Sequence, residues 1–252
     1  MITRSECLAY LETILEPEKF QDYCPNGLQV AGRIHIDTLV TGVTASQALL
    51  DAALDLKADT ILVHHGYFWR GEDPTVVGIK QRRLKQLLMN DINLITYHLP
   101  LDAHPVMGNN AQLANLLEIA VKGSIPNTGQ PNIALYGNVE PLVMAVDFAD
   151  KIYRALQRTP LLIEGHDRPI KSIGWCSGAA QGYIEQAAVL GLDAFISGEI
   201  SEQTVHLARE LGIHYFAAGH HATERYGVQT LGEHLADKFD LQHHFIDIDN
   251  PV

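Results

Sequence analysis

No apolar run in this 252-residue chain reaches the roughly 18 residues of a membrane span. The opening Met1-Ile2-Thr3-Arg4-Ser5-Glu6 lacks the basic-then-apolar layout of a signal peptide. Together these absences predict a soluble, cytoplasmic protein with no membrane partner. Cysteine is scarce. Cys7, Cys24 and Cys176 are too few and too scattered for a disulfide framework or a Cys-rich zinc site. Basic charge is also short: 18 Lys and Arg face 30 Asp and Glu, for a net charge of −12. That disfavours a broad surface tracking nucleic-acid phosphates. The one dense basic cluster, Lys80, Arg82, Arg83 and Lys85, reads at helical spacing as a solvated face. There is no P-loop, no Rossmann glycine fingerprint and no zincin motif.

What is present is an ordinary core-forming composition, 46% hydrophobic and 19% charged, enough for one large domain or two small ones. Thirteen histidines is a high count, and histidine is the commonest metal ligand. Two are adjacent in Thr60-Ile61-Leu62-Val63-His64-His65-Gly66. The apolar and β-branched run predicts a buried strand, and in open α/β sheets ligands gather outside the carboxyl ends of strands. Neighbouring strand residues point to opposite faces. Either the chain bends at Gly66 so that both rings serve one site, or the rings serve two neighbouring metals.

The remaining periodicities alternate strand with helix. Ser5 is placed to cap a helix carrying Leu8, Leu11, Ile14 and Leu15, which Pro17 ends. Strands are expected at 39–44, 92–97, 171–176, 193–197, 213–218 and 241–248. Helices are expected at 47–56, 79–89, 108–118, 181–190, 202–211 and 222–239, with another starting at Pro141 and running to about Leu156. This order predicts an α/β fold with mostly parallel or mixed sheets. A Gly-, Pro- and Asn-rich stretch, 123–138, is the candidate boundary. It divides the chain into residues 1–124 and 125–252, with the last helix and strand able to pack back on the first part. The two parts read as copies of one unit. Thr38 aligns with Ser172 at an offset of 134, without a gap to His65 against Glu199, and the alignment keeps Ala45/Ala179, Gln47/Gln181, Ala53/Ala187 and Asp59/Asp193. At an offset of 122, His98 aligns with His220 and Asp102 with Glu224.

Gly219-His220-His221-Ala222-Thr223-Glu224-Arg225 follows a buried strand and opens a helix. His220 and Glu224, four apart, share one face of its first turn. That spacing suits a metal and is also common surface decoration. His98 and Asp102 repeat it, but Pro100 between them predicts a loop. The set His64, His65, Asp102, His220 and Glu224 offers three imidazoles and two carboxylates at strand ends from both parts. Such a set suits two divalent ions better than one. Without thiolate it suits zinc, manganese, iron or nickel and does not choose among them. Glu199 reads as a base, as a partner behind a ligand, or as a carboxylate capping a helix. His98 reads as a group that orients Asp102 or binds substrate, or as a structural histidine. Tyr67, Phe68 and Trp69 read as packing, or as a platform on which a base stacks. Gly174-Trp175-Cys176-Ser177-Gly178 has Cys where a nucleophile elbow has Ser, and reads as a small-residue turn. His206, His214, His234, His243 and His244 are assigned to surface or core.

At several of these places the chain resembles a known family. The segments are Pro25-Asn26-Gly27-Leu28-Gln29-Val30, Gly42-Val43-Thr44-Ala45-Ser46, Val63-His64-His65-Gly66, His98 to Asp102 with Gly108-Asn109-Asn110, Ser197-Gly198-Glu199, and Gly219-His220 to Glu224. In this order they resemble the GTP cyclohydrolase 1 type 2 homologues, or Ngg-interacting-factor-three-like proteins, in their short bacterial form. The resemblance implies two intertwined, structurally similar α/β repeats with a metal site between them. It implies two divalent ions per chain at His64, His65, Asp102, His220 and Glu224, and a toroidal homohexamer with the metals facing inward. It also implies a metal-dependent hydrolase acting on a nucleotide or related heterocycle, with attack at C8 of guanine if the family label holds. Glu199 or His98 would then move protons. The alternative is a non-catalytic ring, stabilised by metal, that acts as a binding or regulatory scaffold. A nucleic-acid clamp would require a locally basic hole.

Overall fold

Val40, Ile61, Val63 and Leu94 are fully buried, which is what strands covered on both faces require. The computed structural model describes residues 1–252. In chain order its elements are β1 (Ile2–Thr3), α1 (Arg4–Leu15), β2 (Gly27–Val30), β3 (His35–Ile36), β4 (Thr38–Thr44), α2 (Gln47–Asp55), β5 (Thr60–His65), α3 (Gly78–Met89), β6 (Asn93–Thr96), α4 (Leu99–Ala103) and α5 (Asn109–Leu116). They continue with β7 (Ala120–Ser124), β8 (Leu135–Val143), α6 (Ala145–Leu156), β9 (Leu161–Ile163), β10 (Ile170–Cys176), α7 (Ile184–Val189), β11 (Ala194–Ser197), α8 (Glu202–Leu211), β12 (His214–Ala217), α9 (His220–Phe239) and β13 (Gln242–Phe245). This is a mixed α/β protein, as the alternation predicted. No helix is long and apolar enough to cross a membrane.

Two compact units result. One comprises Met1–Leu101 and Gly227–Asp249, the other Asp102–Tyr226 and Asn250–Val252. Their limits fall at 101/102 and 226/227. Residues 102–124 therefore belong with the second unit, while the end of α9 and all of β13 belong with the first.

In the first unit the strand order is β13-β4-β5-β6-β2. All neighbours are parallel except β2, which runs antiparallel along β6. Leu49, Leu50 and Ala53 of α2 and Leu84 and Leu87 of α3 cluster with Val40, Ile61, Val63 and Leu94 of the sheet. In the second unit the order is β7-β8-β10-β11-β12-β9. Only β10, β11 and β12 are parallel; the other three pairings are antiparallel, so this sheet is mixed. Phe148, Ile152 and Leu156 of α6 cluster with Ile173, Trp175, Ile196 and Phe216 of the sheet.

The repeat is present in the hydrogen bonding of each unit. Leu39 pairs with Thr60 and Ile173 with Ala194, so both members of the pair shift by the same 134 residues. Each copy opens with an antiparallel edge strand, β2 beside β6 and β9 beside β12. One carboxylate does the same work in each. Asp59 Oδ2 accepts the backbone N–H groups of Asp37 and Thr38, both at 2.9 Å. Asp193 Oδ2 accepts those of Lys171 (3.1 Å) and Ser172 (3.0 Å).

For Asp193, burial alone would raise the pKa, but the hydrogen bonds from Ser172 and Lys171 outweigh it and hold the carboxyl below its ordinary value. A group with a depressed folded pKa stabilises the fold above its unfolded pKa and loses that contribution as pH falls through the folded value. Asp193→Asn should therefore cost about 1 kcal/mol at neutral pH, at the low end for bonds to a charged group because Asp193 is partly solvated. The difference from wild type should shrink below about pH 4. Thermal melts at pH 7 and pH 3 check this.

Four local expectations change. Thr3, not Ser5, caps α1; its side chain accepts the Glu6 N–H while the Glu6 side chain accepts the Thr3 N–H. Asp102 does not lie on a loop, although His98, just before the helix, does. Leu99–Ala103 is helical, with Pro100 in the first turn, where its missing N–H costs nothing. Pro141 lies inside β8 and not at the start of a helix; α6 begins at Ala145. The β7 pairing covers only 135–138, and the β10 pairing slips between Asn138 and Val143, so Pro141 falls where no ladder N–H is needed. The Gly-, Pro- and Asn-rich stretch contains the turn of the β7–β8 hairpin.

All three cysteines are buried. Burial pushes the Cys7 thiol up to about 11. Burial, with the Asp22 charge, pushes Cys24 up to about 12. Burial first, then the charges of Asp102 and Glu224, raises Cys176 well above the ordinary thiol range, which leaves little thiolate to act as a nucleophile.

Candidate metal centre

In the first unit, β5 runs two residues past its pairing with β6, which ends at Val63 against Thr96. His64 is fully buried, and its Nδ1 lies 3.0 Å from the carbonyl oxygen of Tyr97. A carbonyl only accepts, so Nδ1 carries the proton. His65 places Nδ1 3.1 Å from Thr44 Oγ1. His98, just before α4, places Nδ1 2.7 Å from Asp22 Oδ1. The other Asp22 oxygen accepts from Leu99 N (3.0 Å) and Asn26 Nδ2 (2.9 Å), and Asn26 Oδ1 accepts from His98 N (2.8 Å). Burial would raise Asp22, but its bonds with His98 and Asn26 win and lower it.

The three rings converge. His64 and His65 are 4.6 Å apart between ring centres, His64 and His98 5.0 Å, His65 and His98 5.6 Å. One nitrogen from each lies within 4.8 Å of the others. Adjacent strand residues thus share one cluster. Gly66 fits its crowded place because it has no side chain: a Cβ there would run into Thr96 Oγ1 and the Gln29 carboxamide. Trp69 walls the cluster, with ring centres 5.1 Å from His98 and 5.9 Å from His65, and its Nε1 donates to Gly66 O at 3.2 Å. Tyr67 is packing; its hydroxyl donates to Ala45 O at 2.8 Å. Asp22, Cys24 and His98 also come within ligating reach of one another, but both Asp22 oxygens are already committed to His98, Leu99 and Asn26.

In the second unit, Asp102 is buried in α4, and its Oδ1 accepts from Asn109 Nδ2 (2.8 Å) and Ser177 Oγ (2.9 Å). Asn110 accepts the Ser177 N–H at 2.9 Å and donates to the carbonyls of Asp102 (3.2 Å) and Ile133 (2.9 Å). The Gly108-Asn109-Asn110 segment therefore ties Asp102 to the end of β10. On the first turn of α9, His220 sits between two carboxylates. Its Nδ1 is 2.8 Å from Glu199 Oε1 and its Nε2 is 3.1 Å from Glu224 Oε2. Burial alone would lower its pKa; bonding and charge from Glu224, then Glu199, outweigh this and raise it to about 9. Glu199 is thus a partner behind His220.

Two glycines make this approach possible. Gly178 has a left-handed backbone (φ +64°), and a Cβ there would strike Glu224 Oε1 and meet His220 Nε2 at 3.3 Å. A Cβ on Gly198 would meet Gly178 O and His220 Cα, both at 2.7 Å. Asp22 is a site residue that the sequence does not single out, and Ser177 and Gly178 enter it only as part of a small-residue turn. Gly178 carries one signal, since it falls at the repeat position of Thr44, which bonds His65. Four of the histidines assigned to surface or core have local partners: His206 pairs with Glu202, His214 packs edge-on against His166, His234 bonds Tyr10 and His243 bonds Thr41.

Comparison with known proteins identifies the family. Residues 2–251 match the family described as Duf34/NIF3 (NGG1p interacting factor 3). A Pseudomonas aeruginosa protein named GTP cyclohydrolase 1 type 2 homolog is 55% identical over 251 residues, covering 100% of this chain and 99% of its own. A Vibrio cholerae protein of the same name is 54% identical, covering 97% of each. Among solved structures, the protein ybgI, described as of unknown function, superposes with a TM-score of 0.96 at 49% identity over the whole of both chains. A Thermus thermophilus protein superposes with a TM-score of 0.90 at 32% identity, again over the whole of both.

Proposed function

This chain belongs to the Duf34/NIF3 family, and on that footing we propose that His64, His65, Asp102, His220 and Glu224 hold two divalent ions in one centre. We read that centre as one that hydrolyses a nucleotide or related heterocycle. The observation that carries the reading is how the donors are held. The Nδ1 atoms of His64, His65 and His220 are committed to oxygens of Tyr97, Thr44 and Glu199, and Asp102 is fixed by Asn109 and Ser177. Metal sites orient their ligands in this way. Nitrogen and oxygen donors without sulfur fit zinc, manganese, iron or nickel.

When bound, such ions supply Lewis acidity and make water nucleophilic near neutral pH. The chain supplies the rest. Glu199 holds the Nδ1 proton of His220, which keeps Nε2 as the donor atom. Asp22 does the same for His98, whose ring lies beside His64 and His65, so His98 is the group placed to take or give a proton at Nε2. Trp69 screens that edge from water. Val77, Ile79, Leu88 and Met89, along and beside α3, are all more than half exposed and support burial against further copies, as in a homohexameric ring.

Metal analysis of purified protein, then a product screen with nucleotides, tests the reading. Two ions per chain and turnover support it. Metal-loaded protein that turns over no nucleotide would end the hydrolase reading. If chelation then disperses the ring, the scaffold alternative gains.

A further inference from the structure

Within the second unit, a cavity of about 490 Å³ lies between α5, the loop before it, and the β7–β8 hairpin. Its volume falls within the range of small-molecule pockets. Apolar side chains come from two sides, Val106 and Ala111 on one and Val121 and Leu135 on the other. Polar groups are few and uncharged: Asn115, Ser124, Asn132 and His104. His104 Nδ1 accepts the N–H groups of Val106 (3.2 Å) and Met107 (3.0 Å), so its proton sits on Nε2, which is a donor. No Lys or Arg lines the cavity, and its one acidic border is Asp102.

We propose that this cavity binds the flat, neutral, heteroaromatic part of a substrate, a group of nucleobase or nucleoside size carrying N–H donors. Apolar walls on two sides suit a planar ring. Neutral amides and a hydroxyl satisfy its edge, and the Asp102 carboxylate favours donors over acceptors. In the metal-free chain the same lining disfavours phosphate, which would meet a carboxylate and no Lys or Arg. Any phosphates therefore stay outside. The inference deepens the proposed function, and rests on it only in taking a heterocycle as the substrate class. It gives Asp102 two neighbours, the proposed metals and the ring they would act on.

Equilibrium dialysis of guanosine and of guanosine triphosphate against the full-length, metal-stripped protein tests it. Ala111→Phe fills the cavity from α5 and Val121→Trp fills it from β7; melting curves confirm that each variant is folded. Guanosine should bind wild type and bind each folded variant at least tenfold more weakly, and the triphosphate should bind no tighter than guanosine. No guanosine binding, binding unchanged in both variants, or variants that change the oligomeric mass and not the affinity would overturn the proposal. The last result would make this face a contact between copies. Metal content, measured on the same preparations before stripping, separates the two readings. A wild type that binds guanosine but never metal sinks the proposed function and leaves this site standing.

Discussion

Glu224→Ala should cut bound metal from about two ions per chain to one or none, and remove the thermal stabilisation that metal confers. Glu224 is 2% exposed, and its Oε2 lies 3.1 Å from His220 Nε2. With the Nδ1 proton of His220 held by Glu199, two lone pairs, on Nε2 and on Oε2, face one spot, and a cation satisfies both. Alanine deletes one donor and leaves His220 held by Glu199 alone. Altering a residue behind a ligand typically costs 10–100-fold in affinity, so deleting a ligand should cost more. Binding at 100 to 1,000 times the dissociation constant stabilises a fold by about 2.7–4.1 kcal/mol. For a chain of this size that is roughly 5–15 °C of melting temperature. The variant should lose this increment and melt, with or without chelator, within a few degrees of stripped wild type. Elemental analysis and calorimetry with and without chelator measure both effects. A variant that keeps its full metal content would remove Glu224 from the ligand set.

Gly178→Ala should be worse for the fold and as bad for the metal. An L residue held at φ +64° costs about 1–2 kcal/mol. The added methyl also points at Glu224 Oε1, a buried atom with little room to withdraw. The neighbourhood is tight, because the Gly178 carbonyl accepts from Gly198 N (2.9 Å), Glu199 N (3.1 Å) and Ser197 Oγ (3.0 Å), and its N–H donates to Thr223 Oγ1 (3.1 Å). Relief must come from moving Glu224 or His220. The melting temperature should fall by at least about 4 °C even in stripped protein, which separates this variant from Glu224→Ala. Gly182→Ala, four residues on, is the control: nothing lies within 4 Å of a Cβ there, and its φ is one that any residue adopts. If both glycine variants bind metal like wild type, Gly178 does not shape the site.

The sequence reveals the parts of this arrangement that are local and hides those made by long-range hydrogen bonds. A buried run ending in His64-His65 and a strand-to-helix junction carrying His220 and Glu224 are patterns of a few residues. Burial then does what the patterns imply. The Asp59/Asp193 identity is visible as an alignment, and the structure explains it through the same pair of backbone N–H groups bound in each copy. The role of Ser177 is invisible because the residue it bonds, Asp102, is 75 positions away. Asp22 is invisible because its partner His98 is 76 positions away. The β7–β8 hairpin is illegible because β7 is largely solvated and β8 contains Pro141, so neither shows an uninterrupted alternation. Thr3 and Ser5 look equally suitable as caps; the reciprocal bond from Glu6 decides between them.

The burial of all three thiols has a practical consequence. With Cys7, Cys24 and Cys176 enclosed and their pKa values raised, almost no thiolate exists at neutral pH to be alkylated or oxidised. The protein can be prepared without dithiothreitol or similar reductants. Those reagents sequester zinc and iron, so leaving them out lets any bound metal survive to be counted.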